Sequence, residues 1–137
     1  MKRKIISGRI LAFAAFMLIG LMGLTAMAAG RAKGEVSKKV HDFGMVKEDG
    51  GPVACDFEIM NTGDGNLVII DGKADCGCTR PTFPKAPIAP GKKGVVKVTY
   101  NPLGRPGSFD KVVTLKTNGS PKTLRLKIKG TVIPKGE

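Results

Sequence analysis

The sequence predicts an all-β fold: an immunoglobulin-like antiparallel β-sandwich of about seven strands, preceded by a signal peptide. Three observations point there. Nineteen glycines and nine prolines punctuate the chain, and beyond the leader no stretch between them keeps the 3.6-residue apolar period long enough for a helix. The intervals hold short β-branched runs, several of them alternating apolar and polar. Six or seven such runs over roughly 100 residues, with turns every eight to twelve, have the spacing of a two-sheet sandwich.

The leader comes first. Lys2, Arg3, Lys4 and Arg9 form a basic segment, an apolar run follows from Ile10 to about Leu24, and Ala26-Met27-Ala28 supplies a small-x-small cleavage site. The run approaches the length of a membrane anchor, but the cleavage site and the basic residues after it favour removal, with a mature N-terminus at Ala29. No cysteine stands at the boundary for a lipid anchor, and there is no twin-arginine pair. The expected division is signal peptide over residues 1–28, linker over 29–34, sandwich over 35–134 and tail over 135–137. Export to the periplasm or beyond follows, with no stable membrane span after cleavage.

Each strand has its own signal. Glu35 to Asp42 reads as the first, entering a turn at Gly44. Val53, Cys55, Phe57 and Ile59 alternate with Ala54, Asp56, Glu58 and Met60, which makes a half-buried strand with its odd face inward. Asn61 to Gly65 is turn chemistry, and Leu67-Val68-Ile69-Ile70 suits a central strand. The stretch Pro81, Pro84, Pro87, Pro90 and Gly91 resists regular pairing and reads as a crossover between sheets. Val95 to Tyr100 and Phe109 to Thr117 follow. In the last strand, Lys122 to Val132, the residues Leu124, Leu126, Ile128 and Val132 oppose Thr123, Arg125, Lys127, Lys129 and Thr131.

The formal charge is +12, and four of the cations lie in the leader, leaving +8 on the remainder. Such a charge suggests an anionic partner. Nucleic acid does not fit: the signal directs the chain away from it, and Phe43, Phe57, Phe83, Tyr100 and Phe109 sit in core-like contexts rather than as stacking groups. Lysines that blunt strand edges explain part of the charge. An anionic envelope polymer or phospholipid head groups remain as the functional reading.

In order along the chain stand Asp42-Phe43-Gly44, Asn61-Thr62-Gly63, Leu67-Val68-Ile69, Cys76-Gly77-Cys78-Thr79, Ile88-Ala89-Pro90-Gly91, Val98-Thr99-Tyr100-Asn101-Pro102 and Gly130-Thr131-Val132. This ordered set resembles a family of exported bacterial proteins known only as a domain of unknown function, related to Hydin-like and major-sperm-protein-like immunoglobulin-like domains. The resemblance covers nearly all of the expected sandwich. It implies a seven-stranded immunoglobulin-like fold in the bacterial envelope and carries over no reaction.

Most chemistry-like fragments have plainer explanations. Asp42-Phe43-Gly44 copies a kinase magnesium motif without any other kinase part. His41 is the single histidine, and Ser37, Ser108 and Ser120 lack a nucleophile-elbow context. Asp64-Gly65-Asn66 and Asp71 to Asp75 fall short of a calcium loop, and Asn118-Gly119-Ser120 reads as a hairpin turn. Cys76-Gly77-Cys78 is different. Two thiols around a glycine can hold a soft metal, copper or zinc, with Met45, Met60, His41 or Cys55 as further ligands. They can also close a small disulfide, which an extended backbone would put near the upper limit of about 6.8 Å between α-carbons. A structural role competes with both, including a disulfide from Cys55 to Cys76 or Cys78 across the sandwich.

The functional expectation is a non-enzymatic envelope or secreted module, binding or structural, with no cofactor. Its candidate binding residues are Cys76, Gly77 and Cys78 within the Asp75–Gly91 crossover, and Arg125, Lys127 and Lys129 on the last strand. The expected partner is an envelope protein or an anionic envelope polymer. The alternative is a thiol-based redox or soft-metal protein using Cys76 and Cys78.

Overall fold

The computed structural model describes residues 30–136, so the expected signal peptide lies outside the described residues. Among those residues, eight strands form two four-stranded sheets. One sheet is ordered β1 (Gly34–Val36), β3 (Val53–Asn61), β6 (Lys93–Tyr100), β5 (Thr79–Thr82). The other is ordered β2 (Val40–Lys47), β8 (Thr123–Ile133), β7 (Gly107–Thr117), β4 (Ile69–Ala74). These are the A-B-E-D and C-F-G orders of an immunoglobulin sandwich, with β2 added beside the last strand.

The alternating runs behave as their pattern requires. In β3, Cys55, Phe57 and Ile59 are buried and Ala54, Asp56 and Glu58 exposed. Val96, Val98 and Tyr100 of β6 meet them in register, and Leu124, Leu126, Ile128 and Val132 of β8 close the core from the other sheet. Tyr100 stacks on Phe109 across the core with ring centroids 4.0 Å apart, and Phe43 sits 6.3 Å beyond Phe109. Burial of these side chains is the main stabilising term.

Four expectations are corrected. The run Glu35 to Asp42 is two strands, β1 and β2, because Ser37–Lys39 carries the chain from one sheet to the other. Gly44 is no turn: it lies inside β2 at φ 68°, where the register against β8 slips by one residue between Asp42 and Met45. A left-handed glycine absorbs that bulge, and the Asp42 carboxylate accepts the Gly44 N–H at 2.8 Å. The extra residue turns Val46 inward and leaves Met45 74% exposed. The sandwich is also not wholly antiparallel, since β2 pairs with β8 in parallel.

The fourth correction concerns the middle of the chain. The run Leu67 to Ile70 is not a central strand. Leu67 makes a single bridge to Ile88, and β4 begins at Ile69 as an edge, running through Asp71 and Lys73 to Ala74. The Pro-rich stretch does pair at its start: β5 places Pro81 opposite Val98 on a sheet edge, where the N–H that proline lacks is not required. The passage from one sheet to the other occurs earlier, at Asp75–Cys78, between β4 and β5.

One end of the sandwich is organised by Asn61, whose side chain is fully buried. Its Nδ2 donates to the carbonyls of Gly65 (2.6 Å) and Ile88 (2.8 Å). Its Oδ1 accepts the N–H groups of Gly63 (3.0 Å) and Lys33 (3.3 Å). All four hydrogen-bonding positions of the amide are thereby filled. Gly63 fits because a Cβ there would overlap the Arg31 carbonyl and lie 2.6 Å from the Lys33 nitrogen. The segment expected as a linker is thus pinned, with Gly34 N–H also donating to Ser120 O at 3.2 Å.

Candidate functional site

Asp75, Cys76, Gly77 and Cys78 form the turn that joins the two sheets at the opposite end of the sandwich. Asp75 anchors it to β7: its N–H donates to Val112 O at 3.2 Å, and its Oδ2 accepts Val112 N–H at 2.9 Å. Cys78 anchors it to the other sheet, its carbonyl accepting Asn101 N–H at 2.9 Å. Between these posts Thr79 N–H donates to Cys76 O at 3.3 Å and closes a tight turn. The turn draws the two cysteine α-carbons to 5.3 Å, and their sulfurs form a disulfide. That separation is shorter than an extended backbone would give and falls inside the range disulfides require.

The two half-cystines differ in exposure. Cys78 is 6% exposed, while Cys76 is only partly buried against the core and Gly77 is open to solvent. Thr79, itself buried, places Oγ1 3.8 Å from Cys76 Sγ and 3.6 Å from Cys78 Sγ. The Cys78 N–H points at Cys76 Sγ, 3.2 Å away.

The candidate pairing of Cys55 with Cys76 or Cys78 does not form: Cys55 is a free, buried thiol. Register explains why. Cys55 lies opposite Val98 on one side of β6, whereas Cys78 is level with Asn101 on the other side. Two strand spacings of about 4.8 Å, plus the offset along the strands, exceed the reach of a disulfide. Burial, and secondarily the neighbouring Asp56 carboxylate, push the Cys55 thiol up to about 11. At neutral pH it is protonated and unreactive.

The candidate metal ligands do not converge. His41 lies in β2, at the opposite edge of its sheet from β4, with its ring 4.6 Å from Phe43 in an edge-on contact. Met45 is on that same far strand, and Met60 pairs with Lys93 at the Asn61 end. Among the described residues no group of three or more His, Cys, Asp or Glu side chains could hold a metal ion.

Arg125, Lys127 and Lys129 do share the outward face of β8, as their alternation predicts. Carboxylates oppose part of this stripe, at Lys127 and Lys129. Lys129 lies in register between Asp110 of β7 and Asp42 of β2, and Lys127 Nζ is 3.4 Å from Asp110 Oδ2. Toward the other end of the strands Lys116 opposes Asp71, and between these rows Arg125, Thr114 and Lys73 form a row with two cations and no carboxylate. Exposed apolar side chains border this face at both edges: Met45 and Val40 on β2, and Ile70 before β4 turns outward, 62% exposed. Sequence reading missed Asn61 and Thr79 as organising residues. Their signal was the polar residue inside or beside an apolar strand, which also describes ordinary turn chemistry.

Among the described residues no helix is long and apolar enough to cross a membrane. No curated protein matches the chain. Solved structures with similar folds include a protein of unknown function from Porphyromonas gingivalis W83, at 19% identity and TM-score 0.65 over 79% of this chain and 50% of that one. The VesB protease of Vibrio cholerae matches at 13% identity and TM-score 0.54, over 75% of this chain and 32% of its own. The secreted serine protease VesC of the same organism matches at 10% identity and TM-score 0.51, over 77% and 23%. This chain spans half or less of each of them, and at such identities the likeness is one of fold alone. The family assignment is firmer: the chain belongs to the family of proteins of unknown function DUF1573, whose model matches residues 34–132.

Proposed function

We propose that this chain is an exported, non-enzymatic binding or structural module of the bacterial envelope, and that its partner is a protein docking on the outer face of the β2-β8-β7-β4 sheet. The observation that carries the proposal is the composition of that face. Asp42, Asp110 and Asp71 stand among its cations, the Arg125–Thr114–Lys73 row holding two cations and no carboxylate, and apolar side chains border both edges. A polyanion would call for unopposed cations, whereas mixed charge with scattered apolar groups suits a protein surface. The ordered motifs resemble those of Hydin-like and major-sperm-protein-like immunoglobulin-like domains, a resemblance that bears on the fold and carries over no reaction.

Photocrosslinking in cells tests it. A photoreactive residue at Ile70, Met45 or Lys116 is expected to give discrete protein adducts, while one at Val95, exposed on the other sheet, is not. Equal adducts from both sheets, or none from the first, would contradict the proposal.

A second reading, thiol redox chemistry at Cys76 and Cys78, is favoured by one observation: their sulfurs are joined in a turn whose Cys76–Gly77 side is open. Soft-metal binding by the same pair gains no such support, because the remaining candidate ligands lie elsewhere.

A further inference from the structure

We infer that the Cys76–Cys78 disulfide is a two-electron site that exchanges with a dithiol, that Cys76 is the sulfur attacked, and that Thr79 assists departure of Cys78. The inference rests on the thiol reading just given and deepens it by assigning a direction and a third group. Access sets which sulfur an incoming thiolate reaches. Cys78 is buried, while Cys76 is only partly buried and sits beside the open Gly77. Attack therefore falls on Cys76 Sγ.

The first thiolate of the dithiol forms a bond to Cys76 Sγ, the Cys76–Cys78 bond breaks, and Cys78 leaves as a thiolate. The second thiolate then attacks its own neighbour in the mixed disulfide and releases Cys76. The dithiol is oxidised to a disulfide, and the two cysteines gain two electrons and, from solvent, two protons. Leaving-group stability governs the rate of the first step. A thiolate emerging in a buried place is penalised unless it is hydrogen-bonded. Thr79 Oγ1, 3.6 Å from Cys78 Sγ, is the hydroxyl placed to donate to it. Thr79 is a positioning residue here, since its bond is to the protein's own sulfur. Cys55 takes no part: it is distant in register, buried and protonated.

The experiment uses the exported protein purified without reductant. It is treated briefly with glutathione, a monothiol whose first exchange leaves a mixed disulfide, quenched in acid before a second exchange, alkylated and sequenced by mass spectrometry. Glutathione is expected on Cys76 and the alkyl group on Cys78, with a preference of about tenfold or more. In parallel, dithiothreitol reduction is timed for the wild type, Thr79→Val and Thr79→Ser, with melting curves beside each. Thr79→Val is expected to slow reduction by roughly tenfold, and Thr79→Ser, which keeps the hydroxyl, to restore the wild-type rate. Glutathione on Cys78 as often as on Cys76, or a Thr79→Val rate equal to wild type, overturns the inference and leaves the thiol reading standing. Reduction no faster than global unfolding overturns the thiol reading itself. If Thr79→Val fails to fold, the glutathione map still decides the direction of attack, and Thr79→Ala, which also lacks the hydroxyl, takes its place in the rate comparison with the same slowing expected.

Discussion

Asn61→Ala is expected to lower the unfolding free energy by about 3 kcal/mol or more, enough to leave a marginal domain largely unfolded. The side chain is fully buried and serves four backbone groups from three separate stretches: Lys33 in the N-terminal segment, Gly63 and Gly65 in the β3–β4 turn, and Ile88 before β6. A methyl group leaves the Lys33 and Gly63 N–H groups and the Gly65 carbonyl without that partner, while the Ile88 carbonyl keeps the Leu67 N–H at 2.9 Å. Each buried group stripped in this way costs about 1–3 kcal/mol, less whatever water can recover by entering the end of the sandwich. Asn101 gives the matched control. Its Oδ1 accepts only the Leu103 N–H at 3.1 Å, in the open, so Asn101→Ala should cost less than about 1 kcal/mol. Urea melts of the two variants make the comparison. A cost for Asn61→Ala no larger than for Asn101→Ala would mean that the end loops hold themselves.

Leu126→Ala is expected to cost about 2–5 kcal/mol, and Arg125→Ala less than about 0.5. The two residues are neighbours in β8 but face opposite ways. Leu126 is buried opposite Val113 in the core, and Arg125 is exposed opposite Thr114. Truncating the leucine removes apolar burial and leaves a cavity in a layer that β3 and β6 close from the other side. Truncating the arginine removes a side chain that makes no ion pair among those seen, in solvent where such pairs are weak in any case. Similar losses at both positions, read from chemical denaturation, would mean that β8 is covered on both faces.

Much of this was legible in the sequence where periodicity was strong. Alternation in β3, β6 and β8 fixes which side chains face the core, because a half-buried strand has a period of two and a slip of one residue would expose the whole apolar set. The edges were harder to read. β4 and β5 pair on one side only, so they tolerate Asp71, Gly72 and Pro81, residues that look like turn chemistry in isolation. The parallel pairing of β2 with β8 joins residues as far apart as Val40 and Lys127 and leaves no local trace. The bulge at Gly44 was visible only as a glycine, which a turn explains equally well.

The candidate site divides the same way. The outward placement of Arg125, Lys127 and Lys129 follows from the period of β8, but Asp42 and Asp110 come beside Lys129 only through strand pairing. The open choices for Cys55, Cys76 and Cys78 turned on distances that an extended backbone misjudges. A turn closed by Thr79 N–H on Cys76 O shortens the gap between Cys76 and Cys78, while the width of β6 keeps Cys55 away from both.

The pairing of those three cysteines decides between a core stapled across the sandwich and a disulfide confined to its end turn. Tryptic mapping of the protein purified without reductant, alkylated in denaturant without reduction, measures it directly. Cleavage after Lys47, Lys73 and Lys85 puts Cys55 in one peptide, 48–73, and both Cys76 and Cys78 in another, 74–85, since Arg80 is followed by proline. The predicted result is peptide 74–85 alone, unalkylated and two hydrogens lighter than its dithiol, with peptide 48–73 carrying one alkyl group on Cys55. A single species in which 48–73 and 74–85 are joined by a disulfide would contradict it.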